Sequence, residues 1–174
     1  TVRCEVLTPK DSWYYVVSTP IYHSNGSISK LAMIMDITDR KKAEESLKQK
    51  VEEQEFLLNN IQTQIWYLTD EKTYGAVNKA HAEFLNLDKQ DIEHKDLFDI
   101  LSEKEAQEFI ASNKKVFDKK IKIHTEKWMI NGQGEKRLLS IDKIPKLDDN
   151  GNVEYVVCSG EDVTEYRNSV ELMR

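Results

Sequence analysis

Four histidines, two cysteines and a scatter of carboxylates are the residues of this chain that could ligate a metal, attack a carbon or move a proton. His23, His81, His94 and His124 never form the His-x-x-x-His pair by which one helix face presents two zinc ligands. Cys4 and Cys158 lie far apart without Cys-x-x-Cys spacing, so neither a zinc knuckle nor a disulfide framework is indicated, and a reducing compartment fits. No Gly-x-Ser-x-Gly elbow and no glycine-rich phosphate loop occurs. The acids fall mostly in charged helical runs, where solvation is the default. No metal site and no catalytic group is therefore expected. An enzyme acting on a small molecule is the remote alternative, which a tight acid–base pair in a cavity would revive. One residue does stand out. Lys143 alternates with Leu139 and Ile141, a charge on an otherwise apolar strand face.

The chain that must position such residues has 174 of them, room for one medium domain or a small domain plus a fragment, and a net charge of −6. That charge argues against a nucleic-acid partner, which needs a basic patch. No apolar run reaches the roughly 18–20 residues that cross a bilayer, and the first ten residues lack a signal-peptide pattern. A cytoplasmic segment is expected, with tethering of the whole protein left to parts beyond it.

An internal repeat organises the sequence. Pro20 is followed by Asn25-Gly26 and then Asp36-Ile37-Thr38; Pro145 is followed by Asn150-Gly151 and then Asp162-Val163-Thr164. Each copy reads as strand, tight Asn-Gly hairpin, strand and polar exit, with Thr38 and Thr164 as helix N-caps. Between the copies, Leu47, Val51, Gln54, Leu58 and Ile61 mark the seam of a heptad helix with one polar position. Ahead of the second copy come strands near 65–69 and 74–77, and a short helix opened by Asn78 with Ala80, Phe84 and Leu87 on one face. Ser102 and Glu105 then make a capping box for a long helix over about 103–118. Strands near 121–130, 136–144 and 153–161 complete the domain.

This order, with Asp70, Asn78, Phe84-Leu85-Asn86, Asn131-Gly132-Gln133-Gly134, Pro145 and the Asp162-Val163-Thr164 exit, resembles the PAS domain family. Asn86 and His94 stand where the family commonly has glycine, which leaves the local loop shapes open. The resemblance implies an α+β fold, a five-stranded antiparallel sheet with helices on one face. It covers 61–166 as a complete domain and 1–38 as the last three strands of a preceding one. A coiled-coil-like linker over 39–60 joins them, and 167–174 starts an exit helix. It also implies a sensory module of a multidomain signal-transduction protein, such as a two-component histidine kinase or a diguanylate cyclase. That module would bind a small molecule, dimerise, or both, with its output domain in the same polypeptide. The alternative is a ligand-free PAS that serves only in assembly.

The family's inward positions, carried onto this sequence, place Val156, Cys158 and Gly160 inside on the last strand and Leu139, Ile141 and Lys143 inside on the one before. Tyr67, Thr69, Met129 and Lys127 share that parity on the remaining strands, and Phe84 adds to the pocket from the short helix. Lys143 is expected to snorkel to water; as a sharper role, it and Lys127 would anchor an anionic ligand, with an apolar ligand the other class. The opposite face, Trp66, Leu68, Trp128, Ile130 and Leu138, is apolar enough to require a cover. Haem is disfavoured because 103–118 holds no histidine, and a flavin adduct because 88–101 holds no cysteine. The cofactor is otherwise unknown, and the expected assembly is a homodimer.

Overall fold

The computed structural model describes residues 1–172, so the last two positions of the expected exit helix lie outside the described residues. The chain forms two compact units, Thr1–Gln54 and Glu55–Arg174. In the first, β1 (Val2–Leu7), β2 (Trp13–Tyr22) and β3 (Ile28–Asp36) pair as an antiparallel meander in the order β1-β2-β3. The β2–β3 connection is a five-residue loop over 23–27 rather than the tight Asn-Gly hairpin expected: Gly26 N donates to His23 O at 3.0 Å, Asn25 Oδ1 accepts from Ser27 N at 3.0 Å, and of the pair Gly26 alone takes a positive φ, 82°. Every residue of β1 and β3 is exposed. Helix α1 runs Thr38–Asn60 and buries no residue.

The second unit begins in the last turns of α1 and contains the larger sheet. Its strands are β4 (Gln64–Leu68), β5 (Tyr74–Val77), β6 (Ile123–Ile130), β7 (Lys136–Leu147) and β8 (Val153–Asp162), all antiparallel, in the order β5-β4-β8-β7-β6. Between β5 and β6 lie α2 (Lys79–Leu85), α3 (Lys89–Ile92), α4 (Leu97–Ile100) and α5 (Glu103–Lys119), and α6 (Thr164–Leu172) follows β8. The α+β architecture is the one expected. Ser102 and Glu105 form the capping box reciprocally, and α5 turns Ala106, Phe109, Asn113 and Val116 inward. The core joins these to Trp66, Leu68, Ile92, Leu97, Leu139, Ile141, Val156 and Cys158.

Thr38 and Thr164 do something other than cap. The Thr38 hydroxyl accepts from Trp13 N at 2.9 Å and that of Thr164 from Leu138 N at 2.8 Å. Asp36 and Asp162 carboxylates accept the threonine N–H groups at 2.9 and 3.0 Å. Both hydroxyls therefore tie a helix start to the backbone of a strand rather than to the helix's own N–H groups. The parallel extends further: Glu5 of β1 pairs with Lys41, and Glu126 of β6 with Arg167, one turn into each helix.

Candidate functional site: the interior between sheet and helices

Register decides which side chains meet inside. Trp66 stands opposite Cys158 and Leu68 opposite Val156, while Lys143 stands opposite Cys158 from the other side. Val156, Cys158, Leu139, Ile141 and Met129 are buried, and Phe84 is half-buried against the core. The β4 assignment is corrected: Trp66 (4% exposed) and Leu68 face the interior, whereas Tyr67 is half-buried on the outer face and Thr69 is exposed. Ile65 to Leu68 is apolar at every position, so alternation alone could not choose between its faces. Gly160 holds the missing clue. A Cβ there would stand 3.2 Å from the Trp66 ring, so the glycine leaves room for the indole to lie over β8. The larger aromatic goes inside, and Tyr67 packs edge-on against Tyr155 outside, with centroids 5.6 Å apart. Of the expected outer residues, Trp128 is 45% exposed beneath the Lys136 ammonium, and Leu138 is buried, bonded to Val163 and Thr164 at the exit.

Lys143 does not snorkel. It is 1% exposed, its Nζ donating to Asn113 Oδ1 at 2.5 Å and to Ser112 Oγ at 3.2 Å, and lying 4.9 Å from the Phe109 ring centre. Position in the strand explains the difference. Two residues before Pro145, Lys143 lies well inside β7, which continues to Leu147, so the stem has no short route to solvent. Burial lowers its ammonium to about 8. The neighbouring Cys158 thiol is pushed up to about 12 by burial, which makes it an inert small hydrophobe at neutral pH. Lys127 sits at the rim, on the same Phe109 ring at 4.2 Å, and is paired with Glu108 at 2.8 Å. The two lysines named as anion anchors thus differ: one is enclosed and bonded to neutral groups, the other already has a carboxylate.

A second polar pair is also buried, from residues the sequence did not single out for the pocket. His81 Nδ1 meets Gln64 Oε1 at 3.1 Å; its ring stacks on Trp66 with centroids 4.4 Å apart and an interplanar angle of 17°. Its Nε2 is buried without a hydrogen-bond partner. Burial drives the imidazole down to about 3, so it is neutral. Gln64, His81 and Asn113, with Trp66, Tyr74, Phe84, Met129 and Leu139, line a cavity of about 10 Å³, the space of roughly one water. Among the described residues, none with a carboxylate lines it. The expected α2 face is also revised: His81 and Ala82 are its buried residues, Ala80 and Phe84 are half-buried, and Leu87 lies beyond the helix end. The available signal was a polar side chain one turn after the Asn78 cap.

Asn78 connects this pocket to α1. Its Oδ1 accepts from Ile65 N at 2.9 Å and His81 N at 3.1 Å, while its Nδ2 donates to Leu58 O at 3.1 Å and Thr63 O at 2.9 Å. Asn59 Oδ1 accepts from Lys79 N at 3.0 Å, a second link from α1 to α2. At the other end of α2, Gly132 N donates to Phe84 O at 2.9 Å. Along α1, Leu47 (65% exposed) and Val51 are exposed and Leu58 is half-buried. Ile61 falls outside the seam. The helix ends at Asn60, whose side chain turns back to Phe56 O at 2.7 Å.

Among the described residues no three potential metal ligands cluster, and no helix is long and apolar enough to cross a membrane. The sequence profile of the PAS domain matches residues 65–165. No curated protein matches. Among solved structures, VqmA of Vibrio cholerae aligns with a TM-score of 0.59 at 18% identity over 66% of this chain and 52% of its own. This chain thus spans about half the length of that relative. The PAS domain of a Colwellia psychrerythraea protein aligns with a TM-score of 0.54 at 16% identity, covering 68% of this chain and 98% of its own. The PAS domain of the RpfR quorum-sensing receptor of Cronobacter turicensis, in complex with BDSF, aligns at 0.50 and 21% identity, covering 60% and 97%. Profile, strand order and interior agree: the chain belongs to the PAS domain family.

Proposed function

We propose that this chain is the sensory segment of a multidomain signal-transduction protein, acting in the cytoplasm, whose second unit binds a small molecule and passes the change along helices to an output domain such as a histidine kinase or diguanylate cyclase. The observation that carries this reading is the polar set Gln64, His81, Asn113 and Lys143, buried in the interior of a small domain. A buried lysine bonded only to neutral groups and a histidine nitrogen with no partner each cost stability. Gln64, His81 and Asn113 line the cavity, and Lys143, outside that lining, is bonded to Asn113; such a set favours a recognition site over a scaffold. The RpfR domain bound to BDSF supports a small-molecule role for the fold. Residues 1–38 are read as the last three strands of a first PAS domain, since Thr38 and Thr164 make matching strand bonds. Residues 39–60 are the linker, 61–166 the second PAS and 167–174 the start of the exit helix, with Leu47, Val51 and Leu58 facing their copies in a homodimer.

The second reading, a ligand-free assembly module, is favoured by one observation: the cavity takes only about 10 Å³. Native mass spectrometry of the gently purified chain separates the two. A small molecule retained by the wild type and reduced in Lys143→Met supports sensing. A bare polypeptide mass, with no thermal shift across a metabolite panel, supports assembly and removes sensing.

A further inference from the structure

The chemistry of the interior sets what it can recognise, given the sensing reading above. Gln64 presents Oε1 to His81 Nδ1 at 3.1 Å, so Nδ1 carries the ring proton and Nε2 is left with a lone pair. The ring cannot easily turn to relieve this. Trp66 stacks on one face at 4.4 Å, Tyr74 stands 5.7 Å away, and Gly160 lets the indole keep that place. Nε2, on a residue that lines the cavity, is therefore a buried acceptor whose hydrogen bond no protein group supplies. Adding a proton to turn it into a donor is costly, because burial holds His81 neutral down to about pH 3.

We propose that His81 Nε2 is the recognition atom of the cavity and selects an uncharged molecule offering a hydroxyl or ring N–H. An anion brings only lone pairs to a lone pair, and a molecule of the same shape without a donor leaves the nitrogen unpaired. The cavity of about 10 Å³ takes the donor group alone, so the body of a ring-sized molecule must push half-buried Phe84 aside. Phe84 lies on α2, the helix that Asn78 ties to Leu58 of α1. Entry of such a molecule is thereby linked to the end of the linker helix.

Phenol, anisole and benzoate test this, being similar in size and differing in donor and charge. Each is titrated into the whole chain at neutral pH and followed by ligand-observed NMR. Phenol is expected to bind at least about tenfold tighter than anisole, the worth of one hydrogen bond in a site that leaves its acceptor unpaired otherwise. In His81→Phe, which keeps a ring against Trp66 but has no acceptor, phenol should weaken to the level of anisole. Equal affinities for phenol and anisole in the wild type overturn the inference without any variant. Benzoate binding tightest, surviving in His81→Phe and lost in Lys143→Met, overturns it as well while leaving the sensing reading intact. A co-purified molecule in a protein that ignores phenol has the same meaning. If no probe binds and nothing co-purifies, both readings fall.

Discussion

Lys143 carries its ammonium into the core and gives it to Asn113 and Ser112 rather than to water or a carboxylate. The consequence is a stability that depends on pH in a definite direction. Its folded value is about 8 against 10.5 unfolded, so between those values the unfolded chain holds more protons and stability rises with pH; the full penalty, about 3 kcal/mol, applies below 8. Lys143→Met removes that penalty but strands the Asn113 carbonyl, worth about 1–3 kcal/mol, so at pH 7 the variant should match the wild type or exceed it by up to about 2 kcal/mol. From pH 7 to 9 the wild type should gain about 1 kcal/mol on the variant in urea titrations. A difference that stays flat over that range would mean that the ammonium is not buried. The sequence disclosed Lys143 because Pro145 and Asp162 fix the parity of β7 and β8. It could not disclose Trp66, since Ile65 to Leu68 is apolar on both faces, nor His81, whose role depends on a nitrogen that only packing leaves unpaired.

At the scale of elements, turns and helix ends were the most readable. Asn86 and His94 take φ 55° and 64°, left-handed like the glycines common at those places in the family. The doubt about local loop shape is thus answered by side chains that tolerate the same conformation. Asx turns recur at Asp70, Asn131 and Asp148, each accepting backbone N–H groups two to four residues on. Less readable were contacts between elements. Gly132 is one: a Cβ there would fall 2.1 Å from Leu85 O, because the β6–β7 turn lies directly on the end of α2. Gly132→Ala should cost about 2 kcal/mol or more, since backbone must shift. Gly134→Ala, at φ 82° with open space around it, should cost about 1 kcal/mol. Chemical denaturation ranks the pair, and a Gly132 variant no worse than the Gly134 one would deny that the turn is docked.

At the scale of the molecule, a helix with no buried residue joins two units, and its exposed Leu47 and Val51 are the positions through which a second copy would bury it. If the copies pair there, angular phase matters more than length. Deleting Lys48 to Val51 removes four residues and rotates the downstream domain by about 40°, whereas deleting seven leaves about 20° in the opposite sense. In the full-length protein the four-residue deletion should alter signalling output and the seven-residue one largely preserve it. Equal retention by both would make the linker a passive tether. The repeat that reveals this organisation was visible from Pro20 and Pro145 onward. The role of its threonines was not, because a hydroxyl beside a helix start reads equally as a cap or as a bond to a strand.

The side-chain amide of Asn78 has two hydrogens and two lone-pair directions, and all four are spent: on Leu58, Thr63, Ile65 and His81. Aspartate has no hydrogens to give, serine has one, and glutamine is a methylene too long. The last turn of the incoming helix is thus keyed to the domain by a side chain with no spare valence, beside the Asn59–Lys79 link. For anyone grafting a foreign input onto this domain, that fixes the splice point. A junction upstream of Leu58 carries the key along with the domain, and a junction after it leaves a lock without one.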